Sequence, residues 1–184
     1  MLIEPLLASL FIGWLRGGSL LRLSEMNLAY PGVMIGALLA RRFLPMIVIG
    51  PFARWRFLAL VLIYLVLLAA LAAGKASWGT AIAALGIFLN LVVIAANGAM
   101  PVSLGAAKEI GYKGAFGAAV FADGLHRALT SGTRLAWLSD TIAYGAPVPL
   151  RSVISIGDVF LAVGVFILVQ ENMAYKAKHL KKPL

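Results

Sequence analysis

The chain has 184 residues, 62% of them hydrophobic and only 12% charged, with a mean hydropathy of +0.96. Soluble domains carry about 45–50% apolar and roughly 25% charged residues, so this balance excludes a water-soluble globule, a disordered chain, a coiled coil and collagen. The net charge of +9 comes from basic residues that flank apolar runs, a pattern that fits anionic lipid head groups and not nucleic acid.

Met1 to Leu15 is the first apolar run, reaching about 23 Å at 1.5 Å per residue against a hydrocarbon core of about 30 Å. Glu4 stands where a signal peptide has its basic region, and no small-residue cleavage site precedes Arg16-Gly17-Gly18. The run is expected to be a short or tilted, retained first span. Asn27 to Ala53 is the second apolar region, interrupted by Arg41-Arg42 and carrying Pro45 and Pro51. Either a short helix ends near Ala40 and the arginines snorkel to lipid head groups, or they face a wet protein interior.

Phe57 to Gly74 and Gly79 to Ala96 are uncharged, span-length runs. Asn90 and Asn97 share one helix face in the second of them. Gly105, Gly111 and Gly114 predict a loop. From Asp123 to Trp137 the residues Asp123, His126, Arg127, Thr130 and Arg134 recur at spacings of three and four, predicting an amphipathic helix at the interface or inside the bundle. Gly145, Pro147 and Pro149 predict a turn, and Ser152 to Gln170 is the last span, with Asp158 its one charge. The basic tail (Lys176, Lys178, His179, Lys181, Lys182) puts the C-terminus on the cytoplasmic side by the positive-inside rule. The fold expected is an all-α, polytopic transmembrane bundle of about five spans, one domain over 1–184, in the cell's inner (cytoplasmic) membrane.

Candidate chemistry rests on few residues. Asp140 and Asp158 stand nine positions either side of Pro149, so antiparallel helical flanks would bring both carboxylates to one depth. Such a pair shares a proton and can activate water, one partner as base and one as acid. The plainer reading pairs Asp158 with Arg134 or Arg151 as a structural ion pair. Asn97, His126 and Arg134 are the substrate-binding candidates, against readings as a helix cap, a hydrogen-bonded structural histidine and a salt-bridge partner. Arg41 and Arg42 are candidates for holding an anionic lipid head group. No Cys and one His outside the tail leave no expected metal site, and no nucleotide or cofactor motif is present. Under a structural reading, Ala83 and Gly86, or Gly157, Ala162 and Gly164, would instead pack against the helices of partner membrane subunits.

Several segments together resemble the domain-of-unknown-function family numbered 5317. They are Trp14-Leu15-Arg16-Gly17-Gly18, Asn97-Gly98-Ala99-Met100-Pro101, His126, Thr133-Arg134-Leu135, Leu138-Ser139-Asp140 and Ser155-Ile156-Gly157-Asp158. That resemblance implies a small multi-span protein and no particular activity. Leu138-Ser139-Asp140, Ile154 to Asp158 and Asn97-Gly98-Ala99 are also similar to lipoprotein signal peptidase, which implies an intramembrane aspartyl peptidase. Thr141 stands where that family has Arg, and Gly157 where it has Ala.

Overall fold

The computed structural model describes residues 3–25, 28–111, 123–145 and 151–173. Each long apolar run is helical, because only a helix satisfies every backbone group of a segment whose surroundings offer no hydrogen bonds. The helices are α1 (Ile3–Leu15), α2 (Pro31–Ile47), α3 (Arg56–Ala72), α4 (Trp78–Asn97), the short α5 (Leu104–Glu109) and α6 (Ile156–Met173). Three stretches are long and apolar enough to cross a membrane: Gly50–Ala72, Trp78–Asn97 and Ile156–Met173. The 13-residue α1 and the 17-residue α2 fall below that length.

The central pair is α4 with α6. Ser77 caps α4, its side chain accepting from Thr80 N, and Gly98 ends the helix at φ 80°, a left-handed position that suits glycine. Along the seam, Gly79 meets Leu168, Ala83 meets Gly164, and Gly86 meets Gly157 and Leu161, so the helices are antiparallel. A Cβ on Gly86 or Gly164 would run into the backbone opposite. Small residues at spacings of three and four let two backbones touch, which supplies packing energy where lipid offers no hydrophobic drive. The small-residue faces expected to meet partner helices therefore meet each other at Ala83, Gly86, Gly157 and Gly164.

Around this pair, α1 runs parallel to α6. Ser9 Oγ donates to the Phe166 carbonyl at 2.8 Å, and Gln170 Nε2 donates to the Ser9 carbonyl at 2.6 Å. A 3-10 turn over Gly50–Trp55 joins α2 to α3, and Arg56 Nε donates to the Val48 carbonyl at 2.6 Å at the end of α2. Consecutive helices alternate in direction, and one apolar core centred on Leu60, Tyr64, Leu67, Ile87, Val93 and Ile94 joins α2, α3 and α4.

The α4-to-α6 connection corrects three expectations. Residues 123–137 form no α-helix: β2 (His126–Ala128) pairs in parallel with β1 (Met100–Val102), and a 3-10 turn follows at Ala136–Leu138. Local polar bonds outcompete the helix there. Asp123 Oδ1 accepts from Leu125 N and His126 N, Gly124 sits at φ 67°, and Thr130 N donates to Thr133 Oγ1. The glycine-rich stretch opens as α5, capped by Ser103. The start of the last run is a strand, β4 (Ser152–Ile154), antiparallel to β3 (Ile142–Tyr144), before α6 begins. The turn expected at Pro147 and Pro149 lies outside the described residues. All three residues of β1 are buried, and Asp140 bridges its free edge. This buried backbone is satisfied: Asp140 N donates to the Pro101 carbonyl and Ser103 N to the Asp140 carbonyl.

Candidate functional site

The second apolar region does not stop at its arginines: α2 continues through Arg41 and Arg42 to Ile47, with Pro45 inside its last turn. The two arginines part company. Arg41 turns inward, its guanidinium 5.9 Å from the centroid of the buried Tyr64 ring, while Arg42 is exposed beside Phe43. At 1.5 Å per residue, Arg41, Tyr64 and Asn90 lie roughly 9–12 Å from the helix ends at Ile47, Arg56 and Asn97. Those ends share one side of the bundle, so three helices deliver a polar side chain at similar depth.

Asp158 enters this layer from the first turn of α6. Ser155 and Asp158 form a reciprocal cap, Asp158 N donating to Ser155 Oγ at 3.0 Å and Ser155 N to Asp158 Oδ2 at 3.2 Å. Asn90 closes the ring from α4: its Nδ2 donates to Asp158 Oδ1 at 2.9 Å, and its Oδ1 accepts from Ser155 Oγ at 2.8 Å. Both oxygens of Asp158 are thus held by amide donors.

Asp140 has the opposite environment. It is 6% exposed, and its Oδ1 has no hydrogen-bond partner. Burial pushes its carboxyl up to about 8, the negative charge of Asp158 adds to the rise, and Arg41 opposes it. Both the burial and the Asp158 charge favour the protonated form of this carboxyl. The Nε of Arg41 is also buried without a partner. The charges of Asp158 and Arg41 both reach Asp140, which stands on a strand edge and not on a helix.

The other candidates lie at the end of α4 and in the connection that follows it. Asn97 Nδ2 donates to the Val93 and Arg134 carbonyls, and its Oδ1 accepts from Arg134 N, each at 2.9 Å. Arg127 donates to the Asn97 carbonyl at 2.7 Å. Asn97 and Arg134 are joined, but through the Arg134 backbone. His126 Nδ1 is paired with Asp123 at 2.7 Å, away from the aspartate pair in sequence and on β2. Desolvation alone would raise the Asp123 carboxyl, but the bonds from His126 and from the Leu125 and His126 amides outweigh it and hold it below the usual carboxylate range. Tyr64 and Ser155 were missed in the sequence reading. Ser155-Ile156-Gly157-Asp158 is the one signal that was there to read, a capping-box spacing before an apolar run. No group of His, Asp and Glu that could hold a metal ion occurs among the described residues.

Fold and site together define a mostly helical protein with three helices of membrane-crossing length and a polar cluster buried among its helices. The chain belongs to the family of unknown function DUF5317, whose model matches residues 21–170. No curated protein and no solved structure matches it.

Proposed function

We propose that this chain is a five-span integral membrane protein of the bacterial inner membrane, and that its Asp140–Asp158 pair performs acid–base hydrolysis of a lipid-modified peptide or a phospholipid-like molecule. The five-span reading is supported by the alternating directions of α1, α2, α3, α4 and α6. With the basic tail taken as cytoplasmic, the end of the bundle that holds the cluster faces the opposite side.

The observation that carries the reading is the unequal pair: Asp140, its carboxyl raised by burial and its Oδ1 without a partner, and Asp158, whose two oxygens accept amide donors. Two carboxyl groups in contrasting environments divide the roles of acid and base. Asp158 retains lone pairs to take a proton from water. The water oxygen bonds to the substrate carbonyl carbon, the bond to the leaving group breaks, and Asp140 delivers its proton to that leaving group. Neither an accessory-subunit role nor a pure transport role calls for this contrast. Arg42, exposed on α2, and Arg54, 5.5 Å from the Trp55 ring centroid, suit an anionic head group at the rim.

The test is to incubate the purified protein, in lipid nanodiscs, with bacterial lipid extract and with acylated peptides, and to follow products by mass spectrometry. Products formed by the native chain and lost in both Asp140→Asn and Asp158→Asn, with folding retained, are expected. Undiminished products in either variant would refute the reading.

A further inference from the structure

The chain has four tryptophans, Trp14, Trp55, Trp78 and Trp137, and all of them are exposed, the least at 49% and the most at 77%. Tryptophan is among the better buried side chains of water-soluble proteins. Its large apolar ring and single N–H favour an exposed place where hydrocarbon meets water.

Contacts across the bundle sort the four into two pairs. Gly13, beside Trp14, lies against Met173 at the end of α6, and Gly79, beside Trp78, lies against Leu168 in the same half of that helix. Trp55 precedes Arg56, whose guanidinium stands 2.7 Å from the place a Cβ on Gly124 would take. Trp137 closely follows Arg134, whose backbone N–H and carbonyl are both bonded to Asn97 at the end of α4. Trp14 and Trp78 therefore flank one end of the bundle, and Trp55 and Trp137 the other. Between the ends runs α4, whose 20 residues make about 30 Å, the thickness of a hydrocarbon core.

Trp137 is the informative member. The other three stand where a helix enters or leaves the apolar layer. Trp137 stands in the connection between α4 and α6, where Thr130, Ser131, Gly132 and Arg134 are exposed with it. Its neighbour Leu138 is buried in the core. The turn thus has an inward place for an apolar side chain, and the indole does not take it. Exposed arginines mark the same end of the bundle: Arg134 in the connection, and Arg54 with its guanidinium 5.5 Å from the Trp55 ring centroid. Guanidinium groups suit the phosphate layer, and indoles the boundary just beneath it.

We infer that the connection between α4 and α6 docks on the phospholipid head-group layer, with Trp137 inserted at the level of Trp55 and Arg54 and Arg134 against lipid phosphates. The inference rests on the membrane-spanning reading and is independent of hydrolysis.

The experiment reads the tryptophan fluorescence of the full chain in phosphatidylcholine nanodiscs, with lipid brominated near the head or near the tip of its acyl chains. Trp137 is isolated by replacing the other three tryptophans with Phe, and Trp55 is isolated likewise. Bromine near the head should quench Trp137 at least about twofold more than bromine near the tip, and to within about twofold of Trp55, as a boundary residue requires. Trp137→Phe alone, compared with the native chain, gives the same quenching by difference and spares the multiple replacement. Quenching of Trp55 without quenching of Trp137 would overturn the inference and leave the spanning reading standing. Aqueous acrylamide then tells what stands there instead: water if it quenches Trp137, a partner protein if it does not. Absence of quenching from both tryptophans would remove the spanning reading itself, and the inference with it.

Discussion

The seam between α4 and α6 is built in two ways along a single line. From Gly79 to Gly86 it is close-packed, each small residue lying against the backbone of the opposite helix. One turn further on, Asn90, Asp158 and Ser155 replace close approach with a ring of hydrogen bonds. The first half depends on shape, so any added carbon breaks it. The second half depends on hydrogen bonds, so it responds to the removal of one donor. Polar groups inside a bundle are expensive, and they are concentrated at the end where non-helical backbone already has to be buried.

The sharpest way to break the contrast is Gly86→Leu. Its side chain would displace the Leu161 backbone, and overpacking at a rigid seam costs about 3 kcal/mol or more. Little folded protein should survive detergent extraction, as size-exclusion chromatography would show. Next comes pH. The Asp140 carboxyl is raised from 3.8 to about 8, so between those values the folded state holds a proton that the unfolded state has lost. Stability should therefore fall as pH rises through this window, by roughly 1.4 kcal/mol per unit, and stay flat below and above it. Asp140→Asn should remove the slope: the native chain melts lower at pH 8 than at pH 5 relative to the variant. Equal differences at both pH values would contradict this.

Smaller effects sharpen the comparison. Asn90→Leu leaves Asp158 Oδ1 and the Ser155 hydroxyl without their Asn90 partners and should cost about 2–3 kcal/mol, without altering the close-packed half of the seam. Asn97→Ala removes the bonds that tie α4 to the Arg134 backbone, and about 1 kcal/mol is expected from thermal unfolding. Arg16→Ala removes an exposed bond to Gln170 and should change stability by less than about 0.5 kcal/mol.

The helices were legible because an apolar run of span length has one backbone solution. The 123–140 segment was not, since its polar spacing of three and four mimicked a helix while Asp123, Gly124 and Thr133 had local bonds to make instead. The symmetry of Asp140 and Asp158 about Pro149 was read on helical flanks, and the described residues nearest that proline are strands instead. An antiparallel strand pair, Ile142 opposite Ile154, brings the chain back as a helical hairpin would have done. Arg41 was harder to place. A one-dimensional pattern cannot show that neighbouring arginines on one helix face opposite ways, nor that Tyr64 waits on the next helix.

The central claim is that Asp140 is a buried, protonated partner of Asp158. The chain has three aspartates, Asp123, Asp140 and Asp158, so carbon-13 NMR of the labelled carboxyl groups, titrated in detergent micelles, follows each one directly. One resonance should titrate near 8, vanish in Asp140→Asn, and titrate lower in Asp158→Asn, where the neighbouring charge is gone. An Asp140 signal that titrates near 4, indifferent to the loss of Asp158, would contradict the account.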